Sequence, residues 1–517
     1  MNKKVCDILF FTLCICLIFL NIPKIVQMNF LGSVVGSKLV FYPLIIGLVY
    51  TFYCEYKYKN VLINFGKFKK YIFLFLGINL LSTICGLYIY PYYDLILHGP
   101  VDQIEKLPKV LAILNNWGID IQAQTLATFW IIARVIKAVC LETIYTFGGA
   151  YMIYCWYYNR IKDGINILLK AIVISIILVI VYGILDVYYL LGSETATNIL
   201  ITINPILHEI KAQGTWWPPL LWKGQLRSIF TEPSYYGIYA AFAMPFLWYI
   251  FIKVKSIKLK ISIGMLMFGF IFCLFLTKAR TAVALFGGEC ALLILCTLYL
   301  RKKVFLQQVV CILLCSGIAF WSANLVIANM QVNNNLESEN KVNVEAYLED
   351  NLGSLASTDK RSNTARYSVM IANFKIGVDY PILGVGTNLA NAYITEYLPT
   401  MSKDNGEVNM WLKNQREKGI LKSGFPALGE YTCRFAQNGL LGLITFLAPA
   451  FILLRKLLQK ISREKDQYEV VLPYVFFTIS FIGIMTAGIG DSINITYCYW
   501  VLLGLGYAMC FGRHSIK

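Results

Sequence analysis

Four short stretches combine residue types and spacings suited to gripping an anion and moving a proton. The first is Arg227-Ser-Ile-Phe-Thr-Glu232-Pro233-Ser234-Tyr235-Tyr236-Gly237, which sets a guanidinium five residues before a carboxylate. The second is Thr277-Lys278-Ala279-Arg280-Thr281, two cations in the short break between apolar runs. The third is Lys360-Arg361-Ser-Asn-Thr-Ala-Arg366-Tyr367, followed by Asp379-Tyr-Pro381-Ile-Leu-Gly384-Val-Gly386. The fourth is Glu430-Tyr-Thr-Cys-Arg434, shortly before Asn438-Gly-Leu-Leu-Gly442. An arginine fork matches the oxygens of a phosphate, and a carboxylate beside it can take a proton from a hydroxyl. Gly384 and Gly386 permit a tight backbone turn, which alone is weak support for phosphate binding.

Each stretch also has a plainer reading. Glu232 stands where a carboxylate caps a helix whose first turn holds Pro233. Lys278 and Arg280 are placed to snorkel to lipid head groups, and Arg434 to anchor at the interface. Arg366 either is solvated or, in the first turn of a helix opening at Thr364, needs an anionic partner against the helix dipole. His98, His208 and His514 are scattered, and the fifteen cysteines lie mostly within apolar runs without paired metal-binding spacing. No metal site and no cofactor are expected.

The elements that must carry these groups follow from composition. The chain has 517 residues, 58% hydrophobic and 15% charged, with mean hydropathy +0.61. A soluble chain carries roughly 25% charge, so a water-soluble enzyme, a disordered chain and a disulfide scaffold are all excluded. Twelve stretches are apolar enough to cross a bilayer: 5–22, 39–54, 71–90, 139–158, 165–191, 236–252, 261–277, 281–300, 304–328, 436–454, 470–489 and 493–511. The first has no small-x-small cleavage site before Pro23 and reads as a retained helix. Segments 1–4, 55–70, 159–164, 253–260, 301–303, 455–468 and 512–517 together hold 23 Lys and Arg against four acids. With twelve helices and both termini cytoplasmic, all seven fall on one side, as the positive-inside bias requires. The net charge of +17 is therefore a sorting signal and not a nucleic-acid footprint.

An all-α polytopic membrane protein results, with residues 1–328 as helices one to nine, 329–435 as a large extracytoplasmic loop, and 436–517 as helices ten to twelve. All four charged stretches then face outward. Within the loop, Tyr367, Ile371, Phe374 and Val378 recur at helical spacing, which predicts an amphipathic helix along the outer membrane surface. Segment 120–138 carries Arg134 and Lys137 and is read as an interfacial or re-entrant helix leading into the next span, with one bent helix as the alternative.

The ordered set Arg227…Glu232-Pro-Ser, Lys-Ala-Arg280, Arg366 with Pro-x-x-Gly-x-Gly, and Asn-Gly-Leu-Leu-Gly resembles the O-antigen polymerase and ligase superfamily. Recognisable residues span about 210–445, and the rest resembles it only as a pattern of spans. The resemblance implies a metal-independent glycosyltransferase of the bacterial cytoplasmic membrane. Its donor would be an oligosaccharide on a polyprenyl diphosphate, and its acceptor a hydroxyl of a second lipid-linked repeat unit or of another lipid anchor. Membrane lipid and a chain-length regulator are candidate partners. Ligase-like members are expected to carry a histidine late in the outer loop. None lies between His208 and His514, which lowers the ligase reading and leaves the general base open.

Within that reading, Arg227, Arg280 and Arg366 are candidates to stabilise the diphosphate leaving group, and Glu232 to deprotonate the acceptor or buttress Arg227. Lys278, Arg361, Tyr235, Arg434, Gly384 and Gly386 are candidate substrate contacts. Tyr235, Tyr236, Trp216 and Trp217 either stack on sugars or populate the interface as aromatic residues commonly do. A lipid-linked glycan transporter is the rival, disfavoured because no internal repeat is evident and the notable charges cluster at the outer side.

Overall fold

The computed structural model describes residues 1–28, 36–57, 66–100, 103–210, 218–333 and 361–513. Among these residues the regular structure is helical throughout. The first half contains α1 (Lys3–Cys16), α2 (Phe41–Lys57), α3 (Gly66–Tyr88), the short α4 (Tyr93–Leu97) and α5 (Leu107–Asn116), α6 (Ala123–Thr143), α7 (Gly149–Tyr157), α8 (Ile161–Leu190) and α9 (Glu194–Leu207). The second half continues with α10 (Pro233–Lys253), α11 (Ile257–Leu276), α12 (Arg280–Leu300), α13 (Lys303–Asn333), α14 (Arg361–Asp379), α15 (Ala390–Tyr397), α16 (Gly406–Lys418), α17 (Glu430–Glu464), α18 (Tyr468–Gly490) and α19 (Cys498–Phe511).

Eight of these, α3, α8, α10 to α13, α17 and α18, are long and apolar enough to cross a membrane, and the chain is a polytopic membrane protein. Four of the twelve predicted spans fall on shorter helices: α1 and α19 have 14 residues, α2 has 17 and α7 has nine. At about 1.5 Å per residue none of these alone reaches the roughly 30 Å of hydrocarbon. For α7 the structure supplies the missing length. A π turn over Ile144–Gly148 joins α6 to it in one continuous helix, so 120–138 does not form the separate interfacial helix expected of it. The charges that suggested a separate helix find partners outside it. Arg134 donates to the Leu421 carbonyl, and Glu142 pairs with Arg434.

Two helices are enclosed far more than the others. In α10 and α18, 83% and 78% of the span is buried, against 33–44% for the remaining six. They pack against each other, and α10 also packs on α12. At the start of α10, Gly237 lies so close to α12 that a Cβ there would sit 2.4 Å from the Ala282 Cβ. The opening turns of α10 and α12 therefore lie side by side, one turn from Glu232 and Arg280 respectively.

Within the long loop, residues 361–429 fold into a cap with its own apolar core. Ala365, Val369, Ala372 and Ile376 of α14 are buried with Leu389, Tyr393, Val408 and Trp411, against Tyr90, Ile96, Ile131 and Val135 from the first half. The buried face of α14 is the one turned to the cap. Phe374 and Val378, from the stripe expected to lie along the membrane surface, point away from that core at 54% and 53% exposure. Phe374 meets Phe435 of α17 at 5.8 Å between ring centroids, and Ile382, Leu440 and Ile444 are exposed as well.

That junction is a backbone splice. The helix α17 breaks at Gly439 (φ 62°, ψ −165°), a region open essentially to glycine only. The groups freed by the break are taken up by segment 381–386. Leu440 N–H donates to the Pro381 carbonyl at 2.8 Å and Leu441 N–H to that of Ile382 at 3.3 Å. In return Val385 and Gly386 N–H donate to the carbonyls of Ala436 (3.0 Å) and Gln437 (2.8 Å). The Ser82 hydroxyl of α3 donates to both Leu383 and Gln437 carbonyls.

A Cβ at Gly439 would lie 2.3 Å from the Ile382 carbonyl carbon. Gly439→Ala is therefore expected to cost at least about 2 kcal/mol, from backbone strain plus the clash. Gly287→Ala, where a Cβ meets nothing within 4 Å, is the control and should cost nothing. Thermal unfolding of the detergent-solubilised variants measures both.

Candidate active site

The corner that delivers Glu232 is pinned from below. Asp186, buried near the C-terminal end of α8, accepts from the backbone N–H of Arg227 (3.1 Å) and of Ser228 (2.6 Å). The Ser228 hydroxyl donates to the Val179 carbonyl, and Ser228 adopts φ 54°. The Arg227 side chain is 2% exposed and spends its guanidinium on the carbonyls of Pro219 (3.0 Å) and Leu220 (2.9 Å). The structure thus turns Arg227 to the loop before it and toward Asp186, Tyr182 and Tyr189, away from a shared anion site.

Glu232 occupies the position before Pro233, yet its carboxylate caps no helical amide. It accepts instead from the Ser234 hydroxyl at 2.8 Å. Three of the expected residues meet here. Arg366 of α14 and Tyr235 of α10 share Glu232's electrostatic surroundings, together with Asp491 and Glu407. Arg366 Nη1 forms an ion pair with Asp491 at 2.9 Å and donates to the Gly490 carbonyl at 2.9 Å. Burial holds the Glu232 carboxyl above the usual carboxylate range. Asp491 pushes it the same way, while Arg366 and the Ser234 hydroxyl oppose. The Arg366 guanidinium is raised, chiefly by Asp491.

The helix α14 begins at Arg361 instead of Thr364, and the anionic partner that Arg366 requires is a protein carboxylate, Asp491. Arg280 opens α12 beside the α10 start, after Lys278 at φ 48°, whose ammonium burial pushes below its ordinary value. Arg434 is 5% exposed, pairs with Glu430 (2.8 Å) and Glu142, and lies 4.7 Å over the Phe446 ring. It is a buried strut, not an exposed anchor. The amides of Gly384 and Gly386 are committed to the Tyr380 and Gln437 carbonyls, so the glycine pair forms the splice and offers no amide cradle. The side chain of Arg361, and Trp216 and Trp217, lie outside the described residues.

Sequence reasoning missed the acids Asp186, Glu407 and Asp491, and gave Glu430 no role although its stretch was singled out. The only local signal was an ionisable group at the end of an apolar run, as in Gly490-Asp491-Ser492. Lys38 was missed too. Its ammonium donates to the Asn494 carbonyl, and burial lowers it to about 7 against the opposing pull of Glu430. Among the described residues no three His, Cys, Asp or Glu side chains are close enough to hold a metal ion. The arrangement provides a hydrophobically shielded carboxylate of raised basicity beside a fixed guanidinium, at the end of the two most enclosed helices.

Replacing Arg227 with Met removes the cation facing the buried Asp186, which keeps its two backbone donors, and leaves the Pro219 carbonyl without its donor, while Leu220 keeps that of Asn204. We expect a loss of about 1–3 kcal/mol, read as a fall in folded protein. Activity per folded molecule should be kept, which a transfer assay on the monodisperse fraction checks.

No curated protein matches the chain. Residues 264–410 match the family model described as O-antigen ligase. The matched stretch runs from α11 into α16 and contains Lys278, Arg280, Arg366, Gly384 and Gly386, whereas Glu232 and Asp491 lie outside it. Together with the polytopic helical fold, this match is consistent with the O-antigen ligase and polymerase superfamily and supports glycan transfer of that general kind.

Proposed function

We propose that the protein is a polysaccharide polymerase of the bacterial cytoplasmic membrane, with both termini cytoplasmic and its site on the outer face. It moves a glycan from a polyprenyl diphosphate carrier to a hydroxyl of a second lipid-linked repeat unit. The observation that carries this reading is the Glu232 carboxylate at the start of α10, bonded by the Ser234 hydroxyl and set beside the Arg366–Asp491 ion pair.

In the proposed step Glu232 takes the proton of the acceptor hydroxyl as its oxygen bonds to the anomeric carbon. The bond from that carbon to the diphosphate breaks, and the electron pair leaves with the diphosphate. Arg366 and Arg280, with Lys278 nearby, offset the charge that develops there. Raised basicity suits a base working near neutral pH better than an ordinary carboxylate would. Arg227 holds the corner. No step draws on a metal or a cofactor, and a chain-length regulator would act away from this centre.

Transfer to a non-repeat acceptor is the second reading, favoured by the family description itself. The absence of any histidine between His208 and His514 speaks against it, since the resemblance expects one there. The two separate in one experiment. Purified protein incubated with lipid-linked repeat units should yield a ladder of longer glycans. A product formed only when a different lipid anchor is added would replace polymerase with ligase.

Glu232→Gln should lower the turnover by about 10²–10⁴, the usual contribution of general-base catalysis, at an unchanged level of folded protein. Arg280→Ala and Arg366→Ala should abolish the ladder while the protein stays in the membrane; normal chain lengths would remove the residue from the site. Only ionised Glu232 accepts a proton, so the rate should fall as pH drops through a value above the ordinary carboxylate pKa of about 4.3. A pH–rate profile flat down to that value would exclude Glu232 as the base.

A further inference from the structure

We propose that Glu430 is a positioning residue: it holds the 490–494 turn between α18 and α19, and through that turn sets Asp491 and Arg366 in place beside Glu232. The proposal rests on the function given above and adds a residue that never meets the substrate.

The turn is gripped on every side. The Glu430 carboxylate, 4% exposed, accepts at Oε2 from the Ser492 hydroxyl (2.7 Å) and the Ile493 N–H (3.2 Å). Its Oε1 accepts from Arg434 Nε at 2.8 Å, and its own N–H donates to the Asp491 carbonyl at 3.3 Å. Across the turn, Lys38 donates to the Asn494 carbonyl, and the Trp500 indole donates to the Asn494 side chain at 2.7 Å. The next residue of α17, Tyr431, donates to the Met485 carbonyl of α18. The opposite edge of the same turn presents the Gly490 carbonyl and the Asp491 carboxylate to Arg366.

Two oxygens facing three donors demand a carboxylate. An amide at this position presents an NH₂ where an acceptor is needed, whichever way it is turned. The side of the turn that faces Glu430 would then relax, and Asp491 with it. The charged or titratable groups around Glu430 are Arg434, Lys38, Tyr431, Cys433 and Tyr499, with Glu142 behind Arg434. Those around Glu232 are Asp491, Arg366, Glu407 and Tyr235. Asp491 raises Glu232 more than Arg366 lowers it, so displacing the turn lowers the basicity of Glu232.

The test is a double-mutant cycle in the full-length protein with lipid-linked repeat units as substrate, comparing E430Q, D491N and E430Q/D491N by pH–rate profile and by thermal unfolding. D491N should move the acid limb to lower pH. E430Q should move it in the same direction and lower kcat about tenfold with little change in KM. Added to D491N, E430Q should move the limb no further. A limb left in place by E430Q, or its full shift repeated on the D491N background, overturns the proposal. Should E430Q fail to fold, S492A removes one bond to the same carboxylate and must give a smaller shift in the same direction; an unmoved limb there is equally fatal. E232Q keeps the two claims apart. Full activity in E232Q defeats the catalytic reading, whereas an inactive E232Q with an unmoved E430Q limb defeats only the positioning role.

Discussion

The ion pair between Arg366 and Asp491 is the interaction on which the cap and the helix ends beneath it are organised. A guanidinium and a carboxylate shielded from water are tolerated only when each finds a partner, because stranding either costs several kcal/mol. The pair bridges the cap to the end of α18, one of the two most enclosed helices. Its carboxylate lies on a short turn that cannot hold itself, and each support of that turn is itself charged or polar. Glu430 needs Arg434, Arg434 needs Glu142, and Asn494 is met by Lys38. The result is a line of buried charges running from α6 across α17 to the turn beyond α18, with Glu232 at its far end.

The bundle makes such a line affordable by choosing where it runs. The helices α10 and α18 are antiparallel neighbours, so the start of one and the end of the other reach the same level. Glu232 and Asp491 arrive together for that reason. The corner bearing Glu232 is fixed independently, through Asp186 and the backbone of Arg227 and Ser228. Two acids delivered by separate anchors can then face one arginine without either being free to swing out toward water.

How much of this was written in the chain depends on range. Hydropathy located the apolar helices well, because a bilayer filters composition locally, but length alone separated eight sufficient spans from shorter ones such as α1 and α7. The expected gathering of Arg227 with Arg280 and Arg366 is not what Arg227 joins. Glu232, Tyr235 and Arg366 were each singled out in the chain beside apolar runs, and the structure sets them in one electrostatic neighbourhood. Their partners were invisible, since Asp491 stands 125 residues beyond Arg366 and nothing nearby in sequence marks the pairing. Arg227 and Arg434 read as ligand-seeking cations for the same reason: a spacing cannot show that Leu220 or Glu142 is waiting. The Gly384 and Gly386 pair was legible as a turn, but not what its amides would meet. On α14 the stripe holding Phe374 and Val378 was legible as an apolar face, but the side turned to the cap, with Ala365, Val369, Ala372 and Ile376, was not.

The break at Gly439 carries a mechanical consequence. Four main-chain bonds between segments 381–386 and 436–441 replace those the helix forgoes there. Lipid supplies no substitute donor or acceptor, so prising these strips apart would expose all four pairs at once. The cap and the long rod below Gly439 are in effect riveted, and travel as one piece. On the function proposed above, a gap that admits the lipid-linked substrate would then open on the other flank, where α10 and α12 begin.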